Sequence, residues 1–360
     1  MKKVACYFGG RTQFGGAERR IGRIMNQVAK SDIEVQFIFK LYEPMEEICR
    51  TYEHVIGEKL NIKMVGFQHG FEIIRYMLVE RFDSVFYTDA YLGMIPFFVG
   101  AKLAKSETVL LQVNTYASVG QFKSLANELE FKMVARLSNR IDCLYPSSVA
   151  RFRMFYPHKN ITVTPCPFTN TELYAPASKT RAIVFAGRWV EGKNVDLFVR
   201  AMLRIQDELY KEGYKIYVCG EAKENSLSQT VRRLIATCKY NELFELPGFV
   251  DSKDYLPWAE VFLSLQVINN YPSQSLLEAI SCGCYIIASD EGDTGLLVKD
   301  EYGELCKLEE KDIAEKMLNY IRKTKQEKEL AICDSRKFAI SHFMIDKSVE
   351  HYVNMINGVI

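Results

Sequence analysis

Short apolar runs alternate along this chain with longer segments whose apolar residues return every three or four positions. The run VACYF leads into GAERRIGRIMNQVAK, where Ile21, Ile24, Met25 and Val28 form an i, i+3, i+4, i+7 stripe. EVQFIF, IKMVGF with FEIIRYMLVERF, SVFYTD and TVLLQVN follow, then a helical stretch near Leu125–Asn139, CLYPSS, a short helix and ITVTPCP. This is the rhythm of β-α units wound into a parallel sheet.

The rhythm breaks at CPFTNTELYAPASKT, whose Pro, Thr and Asn read as a linker. It then restarts as RAIVFAG, NVDLFVRAMLRIQDEL, KIYVCG, SQTVRRLIATC, ELFELPG, KDYLPWAE, VFLSLQ and CYIIASD. The pattern predicts an α/β chain of two tandem Rossmann-like doubly wound domains, 1–172 and 173–342. A C-terminal helix over 343–360 has Val349, Tyr352, Val353 and Ile356 on one face and must dock elsewhere. Two such sheets facing across a cleft bind ligands at strand ends and topological switch points.

Composition agrees with a soluble globular protein: 360 residues, 48% hydrophobic and 25% charged. The net charge of +1 hides an asymmetry. Residues 1–172 carry 22 Lys and Arg against 17 Asp and Glu, and residues 173–360 carry 24 against 28. A basic N-terminal half suits an anionic partner or membrane surface, and chance scatter over solvated surfaces fits equally well. The ten cysteines fall mostly in apolar runs (Cys6, Cys219, Cys306) and form no C-x-x-C pair. Cys282 and Cys284 lack nearby histidines, so reduced, buried thiols of a cytosolic protein are expected. The apolar part of MKKVACYFGG is too short for a signal sequence. Ala90 to Ala101, the longest apolar stretch, falls short of the ~20 residues of a membrane span. Nothing interleaves basic and aromatic residues in the manner of a nucleic-acid surface.

Three strand-to-helix turns carry residues with chemistry. GGRTQFGGAER, Gly9 to Arg19, lets backbone approach a ligand and offers the following helix's N–H groups to an anion. It is no Walker loop, because Gly16 and Ala17 stand where Lys and Ser or Thr are needed, and a plain glycine turn is an even alternative. FAGRWVEGKN sets Arg188 and Lys193 five apart after the second domain's first strand. Arg as a fork and Lys as a point charge can neutralise a diphosphate there, the alternative being a solvated basic loop.

The third turn is NYPSQSLLEAISCG, Asn270 to Gly283. Ser273 or Ser275 can cap its helix, and the N–H groups over Ser275–Leu277 can hold an anion. Ser275 and Glu278 have the spacing of a capping box, which is the simpler reading of Glu278 alone. A carboxylate early in a helix can instead accept both hydroxyls of a ribose. The SDEGD segment, with Asp290, Glu291 and Asp293, has turn composition, and no metal site is expected there.

These segments resemble one family, the retaining nucleotide-sugar glycosyltransferases of the GT-B architecture (glycosyl transferases group 1, family 4). FGGAER looks like its N-terminal glycine loop and FAGRWVEGKNVDLFVRAM like its G-R-x-x-x-x-K segment. ELPGFVDSKDYLPWAEVFLSLQ looks like the border of its base pocket, and NYPSQSLLEAISCGCYIIASDEGDTGLLV like its donor-site signature. The C-terminal helix also fits, since in that family it crosses back onto the first domain.

The resemblance implies roles residue by residue. Arg188 and Lys193 would clamp the donor diphosphate and Glu278 would bind the ribose. Backbone groups of Ser273, Gln274, Ser275 and Leu276 would hold the sugar and distal phosphate. Gly15 and Gly16 would close over the phosphates, and Phe249 and Val250 would border the base. Two positions depart from the family pattern. Asn270 stands where a glutamate usually contacts the transferred sugar, and Asn114 stands where a histidine often lies near its primary hydroxyl. An amide still donates and accepts hydrogen bonds but brings no charge to an oxocarbenium ion.

The implied activity is metal-independent transfer, with retention, from a nucleoside-diphosphate sugar to a hydroxyl acceptor in cell-surface glycan or polysaccharide synthesis. A UDP-sugar is favoured, and no cofactor is needed beyond that substrate. The basic N-terminal half points to a lipid-linked or otherwise anionic acceptor at the inner face of the plasma membrane. Lys132, Arg136 and Arg140 at i, i+4, i+8 would meet lipid headgroups, although a solvated charged face is commoner. The alternative class is a non-catalytic nucleotide-sugar-binding or partner subunit of a glycosyltransferase complex.

Overall fold

The apolar runs become parallel strands. The computed structural model describes residues 1–10, 16–56, 59–88, 92–113, 120, 122, 124–165, 167–220, 226–269 and 271–360. Chain contacts divide it into two units, Met1–Pro165 with Ile345–Ile360, and Cys166–Met344.

In the first unit the order is β1 (Lys2–Gly10), α1 (Gly16–Val28), β2 (Ile33–Leu41), α2 (Met45–Ile56), β3 (Lys63–Phe67), α3 (Gly70–Glu80) and β4 (Ser84–Tyr87). It continues with α4 (Ile95–Leu103), β5 (Glu107–Gln112), α5 (Leu125–Leu137), β6 (Arg140–Cys143), α6 (Val149–Phe155) and β7 (Asn160–Val163). The strands line up as β3-β2-β1-β4-β5-β6-β7, every pair parallel. A central parallel strand is covered on both faces, so it reads as a continuous apolar run. Val4 to Phe8 of β1 are each 3% exposed or less. Ile73 and Met77 of α3, Phe97 of α4, Val134 of α5 and Phe152 of α6 share one cluster with Tyr7, Val85 and Ile141 of the sheet. Those four helices therefore cover one face of the sheet, as right-handed crossovers in one direction require.

The second unit runs β8 (Thr180–Ala186), α7 (Val195–Arg204), α8 (Gln206–Lys211), β9 (Lys215–Cys219), α9 (Ser226–Ile235), β10 (Phe244–Gly248) and β11 (Ala259–Ser264). Then come α10 (Gln274–Ser281), β12 (Tyr285–Ser289), β13 (Gly303–Cys306), α11 (Glu310–Arg322) and α12 (Lys325–His342). Its parallel order is β10-β9-β8-β11-β12-β13, so the winding reverses between β8 and β11. The segment that composition marks as a linker is packed into this unit. The Tyr174 ring is buried, and the Tyr174 carbonyl accepts the Ser281 hydroxyl at 2.7 Å.

The chain ends in α13 (Asp346–Ile356), which belongs to the first unit. Phe343 closes α12 and does not start this last helix. The buried face is also turned from the expected one. It consists of Ser348, His351, Tyr352, Met355 and Ile356, while Val349 and Val353 are only half-buried. The reason lies under the helix, where Asp142 of β6 is 1% exposed. Its carboxylate meets His351 Nε2 at 2.9 Å and accepts the hydroxyls of Tyr352 at 3.1 Å, Thr162 at 2.6 Å and Thr164 at 2.6 Å. A buried carboxylate needs such partners, so the polar His-Tyr pair faces inward. Burial alone would raise the pKa of Asp142. The bonds from His351, Thr162 and Thr164 overcome it and hold the group below its ordinary value. Tyr352→Phe is expected to destabilise the protein by about 1.5 kcal/mol, the low end for a bond to a charged group. Urea unfolding should show a lower midpoint at unchanged m.

The cysteines depart in part from expectation. Cys6, Cys143, Cys219, Cys282, Cys284 and Cys306 are buried, Cys49 and Cys238 are half-buried, and Cys333 is exposed on α12. Cys333 faces outward because α12 presents only one side to the unit, burying Ala331, Ser335 and Ala339. Among the described residues no helix is long and apolar enough to cross a membrane.

Candidate functional site

The loop after β8 carries Arg188 and Lys193. Trp189 between them is buried, and the Lys193 amide donates to the Val190 carbonyl at 3.1 Å. Gly192 has φ +86°, a conformation that only glycine adopts without strain, and Asn194 at φ 54° starts α7. These two residues fasten the loop to the one that follows β11. The Val267 amide donates to the Gly192 carbonyl at 3.2 Å, and the Asn194 side-chain amide donates to the Leu265 carbonyl at 3.2 Å. The two loops flank the point where the sheet's winding reverses, the usual ligand position in such sheets.

Arg188 is exposed and Lys193 half-buried, and neither makes an ion pair among the described residues. Burial, and then the neighbouring charge of Arg188, lowers the Lys193 pKa to about 8. An anion bound there would relieve both effects. The sign follows. Folding lowers this pKa from 10.5, so the charged amine costs stability below pH 8, and the cost fades as pH rises towards 10.5. Anion binding should show the opposite trend. Affinity for a diphosphate is expected to fall as pH rises through 8, and titration calorimetry across pH 7 to 9 checks it.

The loop after β11 leads into α10. Ser273 holds the N-cap position with extended backbone, yet its side chain caps no helical N–H. Its hydroxyl lies 3.4 Å from that of Ser275. The first N–H groups of α10 thus open at the switch point, and Gln274 reaches sideways to the Thr169 hydroxyl at 3.2 Å.

Glu278 is not half of a capping box. Helix α10 begins at Gln274, which puts Ser275 inside its first turn and Glu278 a turn further on. The carboxylate, 9% exposed, accepts the Ser252 hydroxyl at 2.7 Å, and the Ser252 and Tyr174 hydroxyls are 3.2 Å apart. Burial, then the charge of Glu278, pushes the Tyr174 hydroxyl's pKa up, so it stays protonated. Ser252 lies in a single 3₁₀ turn, Ser252–Asp254, just beyond Phe249 and Val250. The Phe249 ring is 79% exposed and Val250 packs on the core.

Other residues steady this arrangement without a signal in the sequence. Arg336 of α12 donates to the carbonyls of Ser281 at 3.0 Å, Tyr174 at 2.9 Å and Thr171 at 2.6 Å. Lys179 donates to those of Cys282 and Ala259, each at 2.7 Å. Two cations thus complement the carbonyl end of α10. The Asn269 side chain donates to Asp293 at 2.8 Å and ties the SDEGD turn to the same loop. Among the described residues no cluster of His, Cys, Asp or Glu is placed to hold a metal ion.

The second unit therefore brings together Arg188, Lys193, Ser273, Gln274, Ser275, Leu276 and Glu278, with Phe249 and Val250 near the last through Ser252. Gly16 opens α1 in the other unit. Gly15, Asn114 and Asn270 lie outside the described residues.

The family model described as "Glycosyl transferases group 1" matches residues 180–323, which contain both loops and α10. One curated relative is 25% identical over 201 residues, 52% of this chain and 52% of that enzyme. It is the N-acetylgalactosamine-N,N'-diacetylbacillosaminyl-diphospho-undecaprenol 4-alpha-N-acetylgalactosaminyltransferase of Campylobacter jejuni subsp. jejuni serotype O:2. The match spans about half the length of that relative. Among solved structures, Anabaena HepE in complex with UDP and glucose aligns at TM-score 0.79 with 12% identity, covering 99% of this chain and 100% of that one. WaaG, a glycosyltransferase involved in lipopolysaccharide biosynthesis, aligns at TM-score 0.70 with 15% identity over 99% of this chain and 100% of its own. The likeness to these structures is one of fold.

Proposed function

We propose that this chain, of GT-B fold and matching glycosyl transferases group 1 over residues 180–323, is a glycosyltransferase that uses a nucleoside-diphosphate sugar. The observation that carries the reading is the pairing, at one switch point, of two cations without ion-pair partners among the described residues and a helix start whose N-cap side chain caps no N–H, with a buried carboxylate one turn away. A diphosphate fits the first two and a ribose diol the third.

In this reading the bond from the anomeric carbon to the diphosphate oxygen breaks as Arg188 and Lys193 stabilise the departing charge. The acceptor oxygen bonds to the same face, its proton passes to a phosphate oxygen, and configuration is retained. UDP is the favoured nucleotide, since HepE was solved with it. The acceptor is a hydroxyl on a lipid-linked glycan, by analogy with the diphospho-undecaprenol in the Campylobacter enzyme's name. Asn270 and Asn114 remain the proposed sugar contacts, Gly15 and Gly16 the proposed cover of the phosphates.

Thermal shift against a panel of nucleoside diphosphates and their sugar conjugates tests the donor, because a ligand of the native state raises its melting point. Stabilisation by one diphosphate, with nucleotide released when an acceptor is added, is the expected result. Binding without release would instead assign a non-catalytic nucleotide-sugar-binding subunit.

A further inference from the structure

The basic row expected of Lys132, Arg136 and Arg140 does not form on α5. Arg140 lies in β6, 8% exposed and paired with Glu107 at 3.1 Å, because the helix ends at Leu137. Lys132 is paired along the helix with Glu128 at 2.6 Å. A different group of surface residues gathers at the carboxyl ends of β2 and β3. Among the described residues of the first unit, three phenylalanine or tyrosine rings are exposed. Two of them stand on this rim, Tyr42 just after β2 at 50% and Phe71 just after β3 at 68%. The parallel register sets Lys40 beside Phe67, so the turns that follow the two strands are neighbours.

Both rings are braced. The His69 ring lies nearly parallel to that of Phe71, at 9° with centroids 5.7 Å apart. The Lys40 ammonium is 5.7 Å from the centre of the Tyr42 ring, within cation-π range. The turn under Phe71 is fixed twice. The His69 amide donates to the Glu72 carboxylate at 2.9 Å. A Cβ on Gly70 would lie 2.6 Å from Cγ of Pro96, so the start of α3 is pressed against that of α4. Gln68 and His69 are exposed beside the rings.

Burial gains little from rings left in water, and a rigid rim is where a ligand can use them. The C–H bonds on one face of a pyranose are attracted to the negative face of an aromatic ring, while its hydroxyls need hydrogen-bonding groups around that ring. Flat rings bordered by an amide, an imidazole and an ammonium meet both demands. A nucleic acid would need several cations for its phosphates, and this rim supplies Lys40.

We propose that Tyr42, His69 and Phe71 form a subsite for a sugar ring of the acceptor glycan, an inference that rests on the glycosyltransferase reading for its purpose. In this sheet the winding reverses between β1 and β4, the usual ligand position. β3 lies two strands from β1, about 10 Å away. That is the length of a disaccharide, so the subsite holds a unit one or two sugars removed from the reacting hydroxyl. It reads which glycan is offered and takes no part in the bond that forms.

Saturation-transfer difference NMR on the full chain tests this, with methyl glycosides of glucose, galactose, N-acetylglucosamine and N-acetylgalactosamine as probes. At least one glycoside should bind, with transfer concentrated on the protons of one ring face. Phe71→Leu keeps an apolar side chain and loses the ring. It should weaken binding by about 10-fold at an unchanged melting point, and Phe71→Trp should restore it. No binding of any glycoside by the wild type overturns the proposal. Binding that persists undiminished in both Phe71→Leu and Tyr42→Leu assigns the glycoside to another site and overturns it too. The nucleotide-induced thermal shift is measured on the same samples. That shift without glycoside binding leaves the donor reading standing and removes the subsite, and glycoside binding without the shift does the reverse.

Discussion

Lys193→Ala is expected to lower the rate of sugar transfer by about 10²- to 10³-fold while weakening donor binding much less. The ammonium sits half-buried beside Arg188, where its pKa is already lowered to about 8. A charge held with so little water around it interacts more strongly with an anion than one in bulk solvent. The diphosphate gains negative charge as the glycosidic bond breaks, so the contribution of Lys193 is larger in the transition state than in the bound donor. Single-turnover transfer and donor affinity, measured on the same variant, separate the two. A wild-type rate in Lys193→Ala would remove this residue from the chemistry.

Glu278→Ala is expected to reduce nucleoside-diphosphate affinity by about 100-fold, the loss of charged hydrogen bonds to a diol. The variant should also lose any preference for the ribose form over its 2′-deoxy analogue. That second measurement distinguishes a ligand contact from a structural role. Removing a carboxylate that only braced Ser252 would lower stability and leave the preference between the two nucleotides as it was.

The parallel sheets were legible because apolar runs such as VACYF and RAIVFAG are what strands covered on both faces require. The two loops were legible because glycine and a strand-to-helix turn leave a local trace. What was hidden depends on residues far apart in the chain. Ser275 and Glu278 have capping-box spacing, and only the helix start at Gln274 shows that they form none. Ser252 and Arg336, which hold Glu278 and the end of α10, bear no fixed spacing to either. Hydrophobic periodicity picks out Tyr352 and Ile356, which are buried, but takes Val349 and Val353 where His351 is buried against Asp142.

The first unit is written in two pieces of the gene, and the second in one. Translation adds the whole of Cys166–Met344 before Ile345–Ile360, the segment that completes the first unit. Until those residues appear, the Asp142 carboxylate lacks its histidine and tyrosine partners. The usual vectorial order is therefore reversed: the half synthesised first is the one completed last. A released chain truncated after Met344 should yield a protease-resistant second unit while the first remains open to cleavage.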